Sequence, residues 1–342
     1  MSIIQVYELA RVVAEIGFIA AVFCNSMLVY LTAFHTKQII GTYKYMIIIF
    51  GVLGLLFSLM EITARPFLHT YNESWVYFSM STLLAGWKTT VTVLLALYSG
   101  LYASLLSFVA VQFIYRYFTL MKGEKVNKIF GGWKLPAWVS YSLIFGAIWS
   151  ALVYFCAFPD EYAEKYVEKE MKVNYNVSVR SLAACILVAH ESTGNGTNVN
   201  ILRSKSVVFL VGTMVVLSIQ YGIMIMCGTS MHFQMAEKLK YFSIPNQRLQ
   251  KQFFKTLVVQ ITIPTILFHF PMVPAIAAPF FGMEISFQSG IIYSMFSLYP
   301  PIDSFVLMFI VSEYRNSLSR IIRTADASVA VNDTAFSQSK TI

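Results

Sequence analysis

The chain has 342 residues, 57% of them hydrophobic and only 12% charged, with a mean hydropathy of +0.64 and a formal net charge of +8. Soluble domains carry about 25% charged residues, so this composition excludes a water-soluble globular protein. The positive balance does not mark a nucleic-acid binder: the basic residues sit in short loops beside apolar runs, without a basic and aromatic platform.

Seven apolar runs follow one another: Val12–Phe34, Tyr45–Ala64, Thr89–Tyr115, Leu135–Phe158, Val207–His232, Thr256–Ala278 and Gly290–Val311. Each is long enough to cross a hydrocarbon core of about 30 Å as a helix. A backbone in lipid must satisfy its own hydrogen bonds, so an all-α bundle of seven transmembrane helices is expected, as one domain over residues 1–324. The first run is too long for the core of a cleavable signal and reads as a signal anchor. No internal repeat is visible, and an odd span count argues against two inverted transporter halves.

Loop charge orients the bundle. The first, third and fifth gaps and the tail hold sixteen of the 25 basic residues. Of the other nine, six lie in the long segment Pro159–Lys205, and long loops count for little in orientation. The N-terminus is therefore expected outside. Three glycosylation triplets, at Asn72, Asn176 and Asn195, fall on that outer side, and a fourth, at Asn332, falls in the inner tail.

Within the long outer loop, Asp160–Lys172 alternates acids with lysines and reads as a solvated face. Asn174–Ala189 is rich in Val, Ile and Leu and reads as a short hairpin able to lid a pocket. After span seven, Tyr314, Leu318, Ile321 and Ile322 repeat with helical spacing between Arg315, Arg320 and Arg323. That pattern predicts an amphipathic helix over 312–324 on the inner leaflet. The polar tail from 325 to 342 reads as disordered, with Ser328, Thr334, Ser337, Ser339 and Thr341 as phosphorylation candidates.

Several side chains stand out. Asp303, beside Pro300 and Pro301, is the one aspartate well inside a span, and a carboxylate there faces the bundle interior. It reads as part of a switch with Tyr299 and Pro300, or as a hydrogen-bonded structural acid. Glu61 and Arg65 are four apart, and are expected to pair on one face of span two. Span six contains Pro264, Pro271 and Pro274, each of which removes a backbone donor. Arg116 and Tyr117 close span three at the inner face. Arg116 either contacts a partner there or snorkels to lipid phosphate. Lys251 and Lys255 at the base of span six either meet an acidic partner or anchor the helix.

Four blocks and a closing pair carry a resemblance. They are Gly41-Thr-Tyr-Lys-Tyr45, Arg65-Pro-Phe-Leu-His69, Phe113-Ile-Tyr-Arg-Tyr-Phe118, and Gln250-Lys-Gln-Phe-Phe-Lys255 running into Gln260-Ile-Thr-Ile-Pro-Thr265. The pair is Leu298-Tyr-Pro-Pro-Ile-Asp303 and Glu313-Tyr-Arg315. In this order, over nearly the whole chain, they resemble the nematode serpentine chemoreceptors of the Str superfamily, which are G-protein-coupled receptors. The resemblance implies a plasma-membrane receptor in sensory cilia that detects a small odorant and activates a heterotrimeric G protein through Arg116 and Tyr117. It also implies a receptor kinase and arrestin as partners of the tail. Tyr115 replaces the acid that usually precedes this arginine, and no acid lies near the base of span six, so the usual ionic lock is absent. No cysteine caps span three; Cys156 is left to pair with Cys185, or both stay as thiols.

Span three lacks the acid that an amine ligand would need, and span seven lacks the lysine of a retinal Schiff base. The outer halves are apolar and aromatic. Trp87, Thr90, Leu94, Tyr98, Phe209, Thr213, Phe268, His269, Met272, Tyr293 and Phe296 are the candidate lining for a small, neutral, apolar or volatile ligand. His269 alone reads more readily as a satisfied core histidine. The other function classes are an inverted seven-helix ligand-gated channel and a receptor for an internal ligand. An enzyme is not expected: a membrane aspartyl protease needs a second aspartate, and the five histidines are too scattered for a zinc site. No metal or other cofactor is implied.

Overall fold

The computed structural model describes residues 3–81, 84, 86–192, 200–283 and 285–323. Seven helical spans run over Glu8–His35, Thr42–Ala64, Lys88–Met121, Gly132–Cys156, Ser204–Tyr241, Ile244–Phe281 and Gly290–Ile310. They coincide with the seven apolar runs but reach further inward where the helices leave the apolar layer. Spans three and five gain about two turns at their polar inner ends, because hydropathy marks the hydrocarbon boundary and not the end of a helix.

Span three is the axis of the bundle, its middle and inner half buried on nearly every side. It crosses span four at two glycines. A Cβ on Gly100 would lie 2.5 Å from the Gly146 carbonyl oxygen, and one on Gly146 would lie 2.6 Å from that of Gly100. Small residues at a crossing let two backbones touch, which is how helices associate where lipid offers no hydrophobic driving force. Spans one, four and six contain π turns at Leu31–His35, Leu152–Cys156 and Thr265–His269. The turn in span six follows Pro264, whose missing donor loosens the helical ladder there.

The outer end differs from an all-helical expectation. Strand β1 (Pro66–Tyr71) and strand β2 (Ser74–Ser79) form a hairpin across a two-residue turn. Asn72 in that turn takes a left-handed conformation, which asparagine tolerates. Strand β3 (Ala184–Val188), from the long second outer loop, pairs antiparallel with β2. Strands β4 (His190–Ser192) and β5 (Asn200–Leu202) make a separate ribbon. Strand β6 (Ser286–Phe287), from the third outer loop, joins β1 and completes a sheet of order β3-β2-β1-β6. The segment expected to be a self-contained hairpin thus supplies one edge strand, β3, because β2 offers it a longer paired edge than it could make for itself.

The segment expected as a solvated face is a helix, Glu161–Tyr175, capped by the Asp160 carboxylate on the Ala163 amide at 3.0 Å. Its lysines and most of its acids face outward, but Glu170 turns in to His69, and Ala163, Val167 and Met171 are buried against the upper face of the sheet. Strand alternation gives the two faces different jobs. Phe67, Val76, Phe78 and Ile186 point up beneath this cap helix, whereas Leu68, Trp75, Tyr77 and Cys185 point down into the bundle.

At the inner end a helix spans 312–323, as expected. It docks on span one: the Tyr314 and Thr32 hydroxyls lie 2.8 Å apart, and Ser317 Oγ donates to the His35 carbonyl at 3.0 Å. The expected tail from residue 325 lies outside the described residues.

Candidate ligand cavity and inner coupling face

Beneath the sheet lies a cavity of about 150 Å³. Leu68, Trp75 and Tyr77 form its roof. Span three contributes Tyr98, Ser99, Tyr102, Ala103 and Leu106, and span four Trp149 and Val153. Phe209, Thr213, Met214 and Leu217 come from span five, His269, Met272 and Val273 from span six, and Tyr293 and Phe296 from span seven. The π turns of spans four and six carry Val153 and His269, so both irregular turns face this space.

The polar tips at the cavity wall mostly pair with one another. His269 accepts or donates at both ring nitrogens, Nε2 to the Tyr102 hydroxyl at 3.0 Å and Nδ1 to the Tyr221 hydroxyl at 2.9 Å. Tyr221 also meets the Thr265 hydroxyl at 2.7 Å, so one histidine ties spans three, five and six together. Tyr293 donates to Tyr77 at 3.0 Å, and Tyr77 donates to the Leu95 carbonyl at 3.2 Å, which fixes the roof to spans seven and three. Trp75 Nε1 is buried without a partner among the described residues. The Tyr98 hydroxyl likewise has no well-placed partner among the described residues, and what remains facing the cavity is mostly apolar surface.

Of the eleven residues expected to line a pocket, Tyr98, Phe209, Thr213, His269, Met272, Tyr293 and Phe296 do line this one. Phe268 lies one layer behind, stacked on Phe296 with ring centroids 5.1 Å apart. Leu94 packs in the bundle core, and Trp87 and Thr90 are exposed at the outer start of span three. The sequence reading missed Tyr102, Trp149 and the whole roof. Trp149 carries a signal in hindsight, as a large aromatic one turn from Gly146, but the roof sits in loops that hydropathy cannot place.

Two expected pairings are not made. Span two ends at Ala64 and Arg65 turns left-handed, with φ 43°, so the four-residue spacing no longer puts it on the helix face of Glu61. Arg65 instead lies 3.7 Å from Glu15 of span one. Glu61, only 4% exposed, faces the Tyr98 hydroxyl behind the cavity wall. Cys156 and Cys185 are both free thiols. Ile186 donates to the Ala157 carbonyl at 2.7 Å, so the two segments adjoin, but Cys185 points down beside Tyr77 and Tyr293 into the core. Asn72 and Asn176 sit in the outer cap, half-buried and exposed respectively; Asn195 and Asn332 lie outside the described residues.

Below the cavity, Tyr102 packs edge-on against Phe296 and Tyr299. One turn further in is Asp303, only 1% exposed. Tyr299 is directed at its carboxyl, but no donor reaches either oxygen with good hydrogen-bond geometry. Pro300 is buried alongside, and Ser304 donates to Asn25 of span one at 2.7 Å.

At the inner end Arg116 is 5% exposed. Its guanidinium carbon lies 3.4 Å from the Tyr43 ring centroid and 3.8 Å from that of Phe253, and Nη1 donates to Gln250 Oε1 at 3.1 Å. In place of the missing ionic lock, this arginine rests in a corner of two edge-to-face aromatic rings, with a neutral amide as its hydrogen-bond partner. Two residues along span six, Gln252 Oε1 accepts from both the amide and the hydroxyl of Ser312, at 3.1 Å each. The base of span six therefore holds span three and the tail helix at once. Tyr117 is half-buried beside Phe118, and Lys251 and Lys255 are exposed. Among the described residues no cluster of three or more His, Cys, Asp or Glu is placed to hold a metal.

Seven spans, a cavity in the outer half and an arginine sealed at the inner end of span three define the architecture of a G-protein-coupled receptor. Residues 10–319 match the family described as serpentine type 7TM GPCR chemoreceptor Str. The chain is 54% identical over 318 residues to "G-protein coupled receptor str-33" of Caenorhabditis elegans, covering 93% of this chain and 92% of that one. It is 29% identical over 311 residues to "Serpentine receptor class r-10" of the same organism, covering 89% and 88%. The chain belongs to the Str family of serpentine chemoreceptors, and is a multi-pass membrane protein. The family is one of receptors, not enzymes.

Proposed function

We propose that this chain is an olfactory-type receptor of the plasma membrane, placed in sensory cilia, that binds a small neutral apolar or volatile molecule and activates a heterotrimeric G protein. The observation that carries the reading is the cavity. An apolar protein cavity of about 150 Å³ stays dry and accepts a molecule the size of benzene. A charged ligand would lose its hydration there with no counter-charge in the lining, whereas a neutral one loses little.

Binding favours the conformer to which the ligand binds better, and it can shift the balance only by that difference. Phe296, Tyr102 and Tyr299 lead from the cavity to Asp303, and Tyr299, Pro300 and Asp303 form the switch. An outward swing of the base of span six separates Gln250 and Phe253 from Arg116, which then meets the G protein with Tyr117. Lys251 and Lys255 flank the opening. A receptor kinase and arrestin act on the hydroxyl-rich tail.

The test is a panel of neutral volatiles applied to cells expressing the chain with a G-protein reporter. Responses are expected from molecules of roughly benzene size, and Arg116→Ala should remove them while surface expression persists. A full response in Arg116→Ala would refute the coupling role.

A further inference from the structure

We infer that the ligand enters the cavity sideways, from the outer leaflet of the bilayer, through a passage between spans five and six framed by Met214 and Val273. The inference takes from the proposed function only what the cavity holds; the passage is a property of its walls.

Entry from the aqueous side meets two closed layers. The roof residues Leu68, Trp75 and Tyr77 are buried on the underside of the sheet. Their neighbours Val76 and Phe78 are fully buried on its upper side, under the cap helix. Opening this route would break strand pairing along β2, together with the Tyr293–Tyr77–Leu95 chain. Each buried polar group so unpaired costs about 1–3 kcal/mol.

The side wall is different. Met214 and Val273 line the cavity and are also 42% and 49% exposed on the outside of the bundle. A side chain that touches both spaces stands in a mouth. Val211, Ile266 and Phe270 are exposed apolar residues on the same two spans. The surface around the mouth is therefore one that lipid covers and water does not.

Helical rise places the mouth in depth. Tyr221 stitches span five to Thr265 and His269 of span six. Met214 lies seven residues outward of Tyr221, about 10 Å, and Val273 lies four residues outward of His269, about 6 Å. The mouth thus opens just above the stitch, in the outer half. Span six is also weakest there, with a π turn at Thr265–His269 and prolines at 264, 271 and 274. A segment short of ladder hydrogen bonds opens locally at low cost. Moving two apolar side chains breaks no hydrogen bond, and an apolar ligand is already concentrated in the bilayer that faces them.

Labelling of a thiol inside the cavity tests the route without requiring signalling. The full chain, with its four native cysteines replaced by alanine and Ala103→Cys as reporter on span three, is placed in lipid nanodiscs. It is treated with neutral methyl methanethiosulfonate or with its charged trimethylammonium-ethyl analogue. The neutral reagent should modify the reporter and the charged one should not. Met214→Trp and Val273→Trp, each made separately, should slow the neutral reaction by about tenfold or more by plugging the mouth. If one plug fails to fold, the other still decides the matter. Equal rates for the two reagents, or a rate that a folded plug leaves unchanged, would overturn the passage. Loss of every volatile response with this labelling pattern intact would instead count against the receptor reading and leave the passage standing.

Discussion

The two ends of the bundle handle buried polarity in opposite ways. Around the cavity, tyrosine, histidine and threonine tips are mostly joined in short hydrogen-bonded chains, with Trp75 Nε1 and the Tyr98 hydroxyl lacking a well-placed partner among the described residues. Towards the inner face, two buried ionisable groups are short of partners, although Glu313 accepts from two backbone amides. Asp303 has no well-placed donor at either oxygen, and Arg116 has partners for one of its nitrogens only, with Nε and Nη2 unpaired. A satisfied polar network rigidifies its surroundings, whereas an unsatisfied buried group carries a cost that another arrangement can relieve. The outer half is thus built to hold a shape and the inner half to leave one.

Four perturbations bear on that contrast. The largest effect is expected from Asp303→Ala, which removes the carboxyl group on which the proposed switch rests. Signalling should be abolished with surface expression retained, measured by reporter output beside cell-surface immunostaining. Normal signalling would place the tension elsewhere. Next is Ala103→Phe, which puts a ring into the cavity from the buried face of span three. Filling the site should raise the half-maximal concentration of an active volatile by about tenfold or more, or about 1.4 kcal/mol. Basal output should not change, because no inner contact is touched. A changed basal output would show that the two ends are not separable.

A smaller effect of opposite sign is expected at the inner end. Gln250→Ala or Phe253→Leu removes one restraint on Arg116. Each interaction is of the order of 1 kcal/mol, so ligand-independent output should rise about fivefold. Unchanged basal output in both variants would mean that these contacts are not the restraint. The smallest effect belongs to the cap. His69 lies buried between Glu170 Oε1, at 3.2 Å from Nε2, and the Tyr175 hydroxyl, at 3.1 Å from Nδ1. Burial lowers its pKa below the ordinary 6.5, with the Glu170 carboxylate acting against the shift. A histidine held neutral in the fold stabilises it fully above its ordinary pKa. That stability is lost as pH falls, because the unfolded form takes up the proton first. Hydrogen exchange in the cap helix, corrected for intrinsic rate, should therefore quicken below pH 6.5, and His69→Gln should flatten the dependence. A pH-independent wild-type cap would remove His69 from the account.

Sequence reading failed and succeeded for identifiable reasons. Seven of the eleven expected lining residues face the cavity, because the outer halves of spans three, five, six and seven do converge. Trp87 and Thr90 were lost because span three begins beyond the sheet, with its first turn outside the roof. Trp149 was missed because its place one turn from Gly146 becomes informative only once Gly146 is known to meet Gly100. The Glu61–Arg65 pair assumed a helix that continues past Ala64, and a single left-handed residue voids a four-residue spacing. The acid-and-lysine segment Glu161–Tyr175 looked wholly solvated because only three small or apolar residues carry its buried face.

By itself the sequence determined the seven spans, their orientation and the family. Those follow from transfer free energies and charge placement, which are summed locally along the chain, and from blocks that stay in order. Only the tertiary structure decided the rest: three outer loops combining into one sheet, the cavity under it, the Met214–Val273 mouth, and the seat of Arg116 between Tyr43 and Phe253. Each depends on residues far apart in the chain, from 59 positions for Met214 and Val273 to 217 for Thr70 and Phe287. Such contacts are chosen by packing and by which buried hydrogen-bonding groups can satisfy one another, and no local window of sequence contains that information.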